Sequence, residues 1–161
     1  MLFRNAARWQ VLLLAGAIVV GCDDDDEDRF EATLSGANEN PANSSTATGS
    51  FVMTDDGDDF EYRLTVNNIE QPIMAHIHAG APDVNGGILV TLFNTNDPED
   101  TFTGTLAAGE FVAADIMVLP GATTPISLDS LRVLLRTNGA YVNVHTVAFP
   151  AGEIRGQIVP R

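Results

Sequence analysis

Basic residues are scarce in this chain of 161 residues, which has no lysine and eight arginines against 22 acidic residues, for a formal charge of −14. Nucleic-acid binding needs clustered basic side chains, so this shortage argues against a nucleic-acid partner. A single cysteine excludes an internal disulfide framework and a cysteine-rich zinc finger. No G-x-S-x-G, P-loop or G-x-G-x-x-G motif occurs. Enzymatic activity stays an open question, with a non-enzymatic role favoured.

The first residues have the organisation of a secretory signal. Arg4 and Arg8 give a positive start, and the uncharged run Val11–Val20 follows. This run is too short for a bilayer, which takes about 20 apolar residues, but it suits the core of a signal peptide. The only cysteine, Cys22, lies two residues later in a setting that resembles a bacterial lipobox. We predict a lipoprotein signal peptide over residues 1–21 and a lipid anchor at Cys22; an ordinary signal peptide with a chance cysteine is the alternative.

An acidic segment separates this predicted anchor from the rest of the chain. Residues 23–28 are all Asp or Glu, and because adjacent like charges cannot pack, residues 22–29 are interpreted as a solvated tether. Residues 30–161 are long enough for one domain with a core of its own. The predicted location is the cell envelope. Acidic residues behind a lipidated cysteine resemble both inner-membrane retention and surface-export signals, so the periplasmic face and the cell surface stay alternatives.

Most of the domain has the alternating apolar and polar pattern of short strands, punctuated by glycine and proline. The predicted strands are 30–34, 49–54, 59–66, 73–78, 87–93, 101–106, 141–146 and 153–159. Many short strands at near-regular spacing predict an all-β sandwich or barrel. One stretch has leucines at helical spacing instead, which predicts a short helix over 127–137, with Ser127 as its N-cap and Asn138-Gly139 at its C-terminal end.

The three histidines carry the predicted chemistry. His76 and His78 are two residues apart in a predicted strand, so their side chains lie on the same face. His145 lies in another predicted strand, Tyr141–Thr146. If these strands are neighbours, three imidazoles converge, and such a set suits copper or zinc. The alternative is that the histidines only form hydrogen bonds within the sheet or lie on its surface.

The last predicted strand could bring further polar groups to the same face. The short loop after His145 predicts that this strand pairs antiparallel with the His145 strand. Arg155 could then lie near the imidazoles and position an anion, and Asn143 or Glu153 could orient a ring. An ion pair between Arg155 and Glu153, or another carboxylate, is the alternative.

Two stretches around these histidines resemble the signatures of the chordin-type (CHRD) domain. The first begins at His76 as H-I-H-A-G and continues as G-G-I-L-V-T-L-F; the second begins at Tyr141 as Y-V-N-V-H-T and continues as P-A-G-E-I-R-G-Q. The resemblance covers roughly residues 30–160. This family includes modules of animal chordins, which antagonise secreted growth factors, and many bacterial envelope proteins of unsettled role. Growth-factor antagonism is not transferred to a lone domain by such a resemblance.

The order His76, His78, His145, Arg155 is also similar, more distantly, to copper/zinc superoxide dismutase. That family has a Greek-key β-sandwich, holds copper partly through an H-x-H strand and a later histidine, and has an arginine before its closing strand. The likeness implies a Greek-key-like antiparallel β-sandwich and favours copper over zinc. The metal-bridging histidine, the zinc ligands and the structural disulfide have no counterpart, so at most a copper site without zinc is implied.

Three functions therefore stay open at this point. The first is an envelope lipoprotein whose CHRD domain binds a metal ion, with copper favoured, through His76, His78 and His145. The second is a structural or adhesive module with an unidentified protein partner and no metal. The third and least supported is a copper-only enzyme similar to superoxide dismutase, because a charge of −14 repels the superoxide anion overall.

Overall fold

A computed structural model describes residues 28–161. The predicted signal peptide, Cys22 and nearly all of the predicted tether lie outside the described residues. Within the described part of the chain, no helix is long and apolar enough to cross a membrane.

The described residues form nine strands and one α-helix. They are β1 (Asp28–Ser35), β2 (Thr48–Asp55), β3 (Asp59–Glu70), β4 (Pro72–Ala79), β5 (Ile88–Asn94), β6 (Thr101–Val112), α1 (Leu128–Arg136), β7 (Ala140–Thr146), β8 (Ile154–Gln157) and β9 (Val159–Pro160). The predicted all-β class with one short helix is confirmed. β3 and β6 are longer than predicted, and the single strand predicted over 153–159 is divided into β8 and β9.

The strands belong to one antiparallel sheet with the order β5-β4-β7-β8-β1-β2-β3-β6, and β9 pairs with β1. A β-sandwich ordinarily consists of two sheets packed face to face. Here the pairing of Ser35 in β1 with Arg155 in β8 joins the two layers into a continuous path. The sheet wraps around the core until its end strands, β5 and β6, come into contact.

The core takes alternate side chains from the inner face of this sheet. Ile77 in β4, Val142 and Val144 in β7, and Ile154 in β8 are all fully buried. Because side chains alternate along a strand, the residues between them lie on the opposite face. The apolar positions of β4, β7 and β8 therefore determine which polar side chains share the outer face.

The helix α1 packs against the core as its leucine spacing predicts, with Leu131 and Leu135 fully buried. Ser127 caps it, since its Oγ accepts a hydrogen bond from the backbone N–H of Ser130 at 3.2 Å. Arg132 joins the helix to the end of β2 through two hydrogen bonds to the carboxylate of Asp55, at 2.7 and 2.9 Å. The helix is thus held by its buried leucines and by the end of β2.

Candidate metal centre

The polar face of β4, β7 and β8 brings the three histidines together. β4 and β7 are neighbours, with His76 opposite Asn143 and His78 opposite Tyr141. All three imidazoles are buried, with between 5 and 8% of each histidine exposed. Strand pairing therefore meets the condition on which the prediction of a shared site depended.

The ring nitrogens that face one another are close to the spacing of a metal site. One nitrogen from each of the three histidines lies within 4.8 Å of the other two, and His76 Nδ1 is 3.2 Å from His145 Nε2. Nitrogens bound tetrahedrally at about 2.0–2.1 Å from one ion are roughly 3.3 Å apart. Small rotations of the rings would therefore bring the three nitrogens to a common ion.

Backbone carbonyls orient two of the three rings. His78 Nδ1 is 3.0 Å from the carbonyl oxygen of Gly86, and His145 Nδ1 is 3.1 Å from that of Pro150. A carbonyl only accepts hydrogen bonds, so both rings carry their proton on Nδ1 and have a bare Nε2. His78 Nε2 is buried and has no hydrogen-bond partner among the described residues. An unpaired buried nitrogen costs about 1–3 kcal/mol, and a bound ion would satisfy it.

The third ring, that of His76, faces the other two with its Nδ1 and not with its Nε2. Because His145 Nε2 is bare, His76 Nδ1 is the donor across their 3.2 Å contact, and binding an ion there would require the proton to reside on His76 Nε2. Burial lowers the pKa of all three imidazoles, and the two neighbouring histidines help to lower that of His76 to about 4. The rings are therefore neutral at neutral pH, which is the form that binds metals.

Arg155 lies beside the histidines, but its hydrogen bonds go to a loop. Nη1 donates to Asn85 Oδ1 at 3.0 Å, and Nη2 donates to the carbonyls of Ala81 and Val84 at 3.2 and 3.0 Å. The guanidinium carbon is 3.4 Å from the centre of the Tyr141 ring. No carboxylate is among the hydrogen-bond acceptors of Arg155 in the described residues, so the ion pair considered from the sequence is not formed. Arg155 instead secures the loop between β4 and β5.

The structure places the other two polar candidates differently. Asn143 is buried beside the histidines, where its nearby side-chain amide slightly raises the pKa of His78 against the larger lowering by burial. Its Oδ1 has no hydrogen-bond partner among the described residues. Glu153 is also buried, but its Oε1 accepts a hydrogen bond from Ser45 Oγ at 2.6 Å. Of the two, Asn143 is the one whose side chain acts on an imidazole.

Sequence reasoning missed the groups that hold His78 in place. The Tyr141 ring stacks on the His78 ring with centroids 4.9 Å apart and planes 4° from parallel. The Tyr141 hydroxyl also accepts a hydrogen bond from the backbone N–H of Gly86 at 3.3 Å. Gly86 is required there, because a Cβ at this position would overlap the carbonyl of Ala79. The alternation of Y-V-N-V-H predicts that Tyr141 lies on the same face as His145. The Gly86 carbonyl could not be predicted as a partner of His78, because every residue has a backbone carbonyl.

The two signature stretches meet at this centre, and a sequence model of the CHRD domain matches residues 30–158. The chain belongs to the CHRD-domain family. The match confirms the resemblance inferred from those stretches, and it covers nearly all of the described residues. No curated protein and no solved structure matches the chain. The three histidines of this CHRD domain are thus interpreted from their own geometry.

Proposed function

We propose that this CHRD domain binds one metal ion, with copper favoured, through His76 Nδ1, His78 Nε2 and His145 Nε2. The observation that carries the proposal is the convergence of one ring nitrogen from each of the three histidines within 4.8 Å. In a metal-binding histidine, the ring nitrogen that does not bind the ion usually donates a hydrogen bond that fixes the ring orientation. His78 and His145 both donate such a bond from Nδ1 to a backbone carbonyl. Three imidazoles without a thiolate suit copper or zinc, and copper binds such sites more tightly among divalent ions.

The cellular setting is part of the same proposal. The apolar run followed by Cys22 supports a lipid anchor, and the acidic residues after it support a solvated tether. The domain would then be held at the cell envelope, on the periplasmic face or the cell surface. A single neutral site with three imidazoles, on a chain of charge −14 that attracts cations, suits a carrier or buffer of metal ions.

Equilibrium dialysis of the chain from residue 22 onward against Cu²⁺, Cu⁺ and Zn²⁺ tests the metal site. We expect one tightly held ion per chain, and its loss in His76→Ala and His145→Ala. Asp56→Ala is the matched control, since it removes an exposed carboxylate from the β2–β3 turn and should retain the ion. Because all these variants keep the acidic tether, binding to the tether is the same in each. Equal retention by the wild type and His76→Ala would refute the metal function and favour a structural role for the histidines.

A further inference from the structure

We propose that Arg155 is a positioning residue for the metal centre, because it fixes the loop whose Gly86 carbonyl orients His78. The proposal rests on the metal function proposed above and adds the residue that keeps one ligand, His78, in its binding orientation. The sequence suggested instead that Arg155 forms an ion pair or positions an anion.

The first step is the connection between Arg155 and the loop 80–87. Arg155 is 2% exposed, and its donors reach Asn85 and the carbonyls of Ala81 and Val84. The loop residues 81–85 are themselves exposed and lie outside helices and strands. A planar guanidinium can satisfy several acceptors at once, which the point charge of a lysine cannot do with the same geometry. The conformation of this loop therefore depends on Arg155.

The second step leads from the loop to His78. Near its end the loop contains Gly86, whose carbonyl accepts the His78 Nδ1 proton at 3.0 Å and whose N–H donates to the Tyr141 hydroxyl at 3.3 Å. Tyr141 stacks on His78, and Arg155 lies 3.4 Å from the centre of the same Tyr141 ring. Arg155 thus contacts Tyr141 directly and holds the residues that precede Gly86 in the loop. Together these contacts keep the proton on Nδ1 and leave Nε2 free for an ion.

The protein contains an internal reference for this effect. The proton on His145 Nδ1 is held by the carbonyl of Pro150, which belongs to the loop between β7 and β8. The Arg155 side chain makes no hydrogen bond to that loop among the described residues. Loss of the Arg155 contacts should therefore let the His78 proton move between Nδ1 and Nε2, while the His145 proton stays on Nδ1.

The test compares Arg155→Lys and Asn85→Ala with Arg132→Lys, in the chain from residue 22 onward. Arg132 is a matched control, since it is another arginine with several acceptors, but it joins α1 to β2. Nitrogen-15 NMR of the metal-free protein reports which ring nitrogen carries the proton. We expect the His78 proton to distribute over both nitrogens in the first two variants, with His145 unchanged. We also expect copper affinity to fall about 10–100-fold, as when other groups that orient metal ligands are removed.

The outcomes separate this proposal from the metal function. Wild-type proton placement on His78 in both Arg155→Lys and Asn85→Ala would overturn it, even if affinity falls. An equal fall of affinity in Arg132→Lys would also overturn it, because general destabilisation would then explain the loss. If Arg155→Lys fails to fold, Asn85→Ala decides, since it removes only an exposed side chain that accepts from Arg155 and donates to the carbonyl of Asn40. If the wild type binds no ion, the metal function fails, while the NMR comparison still supports or refutes the positioning of His78.

Discussion

Glu39 is a buried carboxyl group with little access to water and few hydrogen-bond partners. It is 8% exposed, and its Oε1 has no hydrogen-bond partner among the described residues. A Cβ at Gly152 would lie 2.5 Å from this oxygen, so little room remains around it. Burial raises the pKa of Glu39 to about 7, against the opposing attraction of Arg155. The ionised form is therefore unfavourable in the folded protein.

The sign of the pH dependence follows from this raised pKa. Between pH 4.5 and about 7 the folded chain keeps a proton on Glu39 that the unfolded chain has lost. The stability contributed by the protonated group is complete below pH 4.5 and is lost as the pH rises through about 7. The full pKa difference corresponds to about 3 kcal/mol, and solvent screening at a partly solvated site reduces it to about 1–2 kcal/mol.

Glu39→Gln keeps the shape of the side chain and removes its charge. We expect this variant to match the wild type at pH 4.5 and to exceed its free energy of unfolding by about 1–2 kcal/mol at pH 8. Urea unfolding of the metal-free protein at several pH values measures the difference, and Glu61→Gln, at an exposed position on β3, should show no such trend. A difference that stays constant with pH, or a wild type that is the more stable at pH 8, would refute the reasoning.

Two further variants test the fold that supports the site. Gly86→Ala places a Cβ against a backbone carbonyl and should lower the free energy of unfolding by about 3 kcal/mol or more. Gly57→Ala, whose Cβ lies in open space at φ 90°, should lower it by only about 1 kcal/mol. Similar urea midpoints for the two variants would contradict this reasoning. Arg132→Met leaves the partly buried carboxylate of Asp55 without its partner and should cost about 1–3 kcal/mol at pH 7. Because Arg132 lowers the pKa of Asp55, this loss should diminish below pH 4, and a loss that does not change with pH would show that the pair is unimportant.

Local patterns predicted the faces of the strands but not the neighbours of every strand. Alternation in Y-V-N-V-H places Asn143 and His145 opposite the core-facing valines, and the short loop after β7 requires β8 to pair with it. The pairing of β4 with β7 was a hypothesis only, because β5, β6 and α1 separate them in the chain. No local rule brings together strands so far apart in sequence, so the convergence of the histidines depended on the tertiary fold.

The strand lengths were underestimated where the alternation is weak. β6 continues through Ala107, Ala108 and Gly109, three residues with low strand propensity, because it stays paired with β3. β3 itself continues past Asn68, which has a positive φ of 54° at a register shift between the two strands. Such a bulge interrupts the pattern without ending the strand. Pairing with a neighbour therefore maintained strands that their own sequences signal poorly.

Unsatisfied polar atoms are grouped where the histidines lie. Buried polar atoms without hydrogen bonds are rare in folded proteins, and each one lowers stability. Among the described residues, the side-chain atoms of this kind are His78 Nε2, Asn143 Oδ1 and Glu39 Oε1, with a fourth, Asp59 Oδ1, on β3. Asn143 lies opposite His76 in the sheet, and a Cβ at Gly152 would contact both Asn143 and Glu39, so the first three atoms border one region. The apolar inner face of the same strands compensates for this cost, and under the proposed function a bound ion would satisfy His78 Nε2.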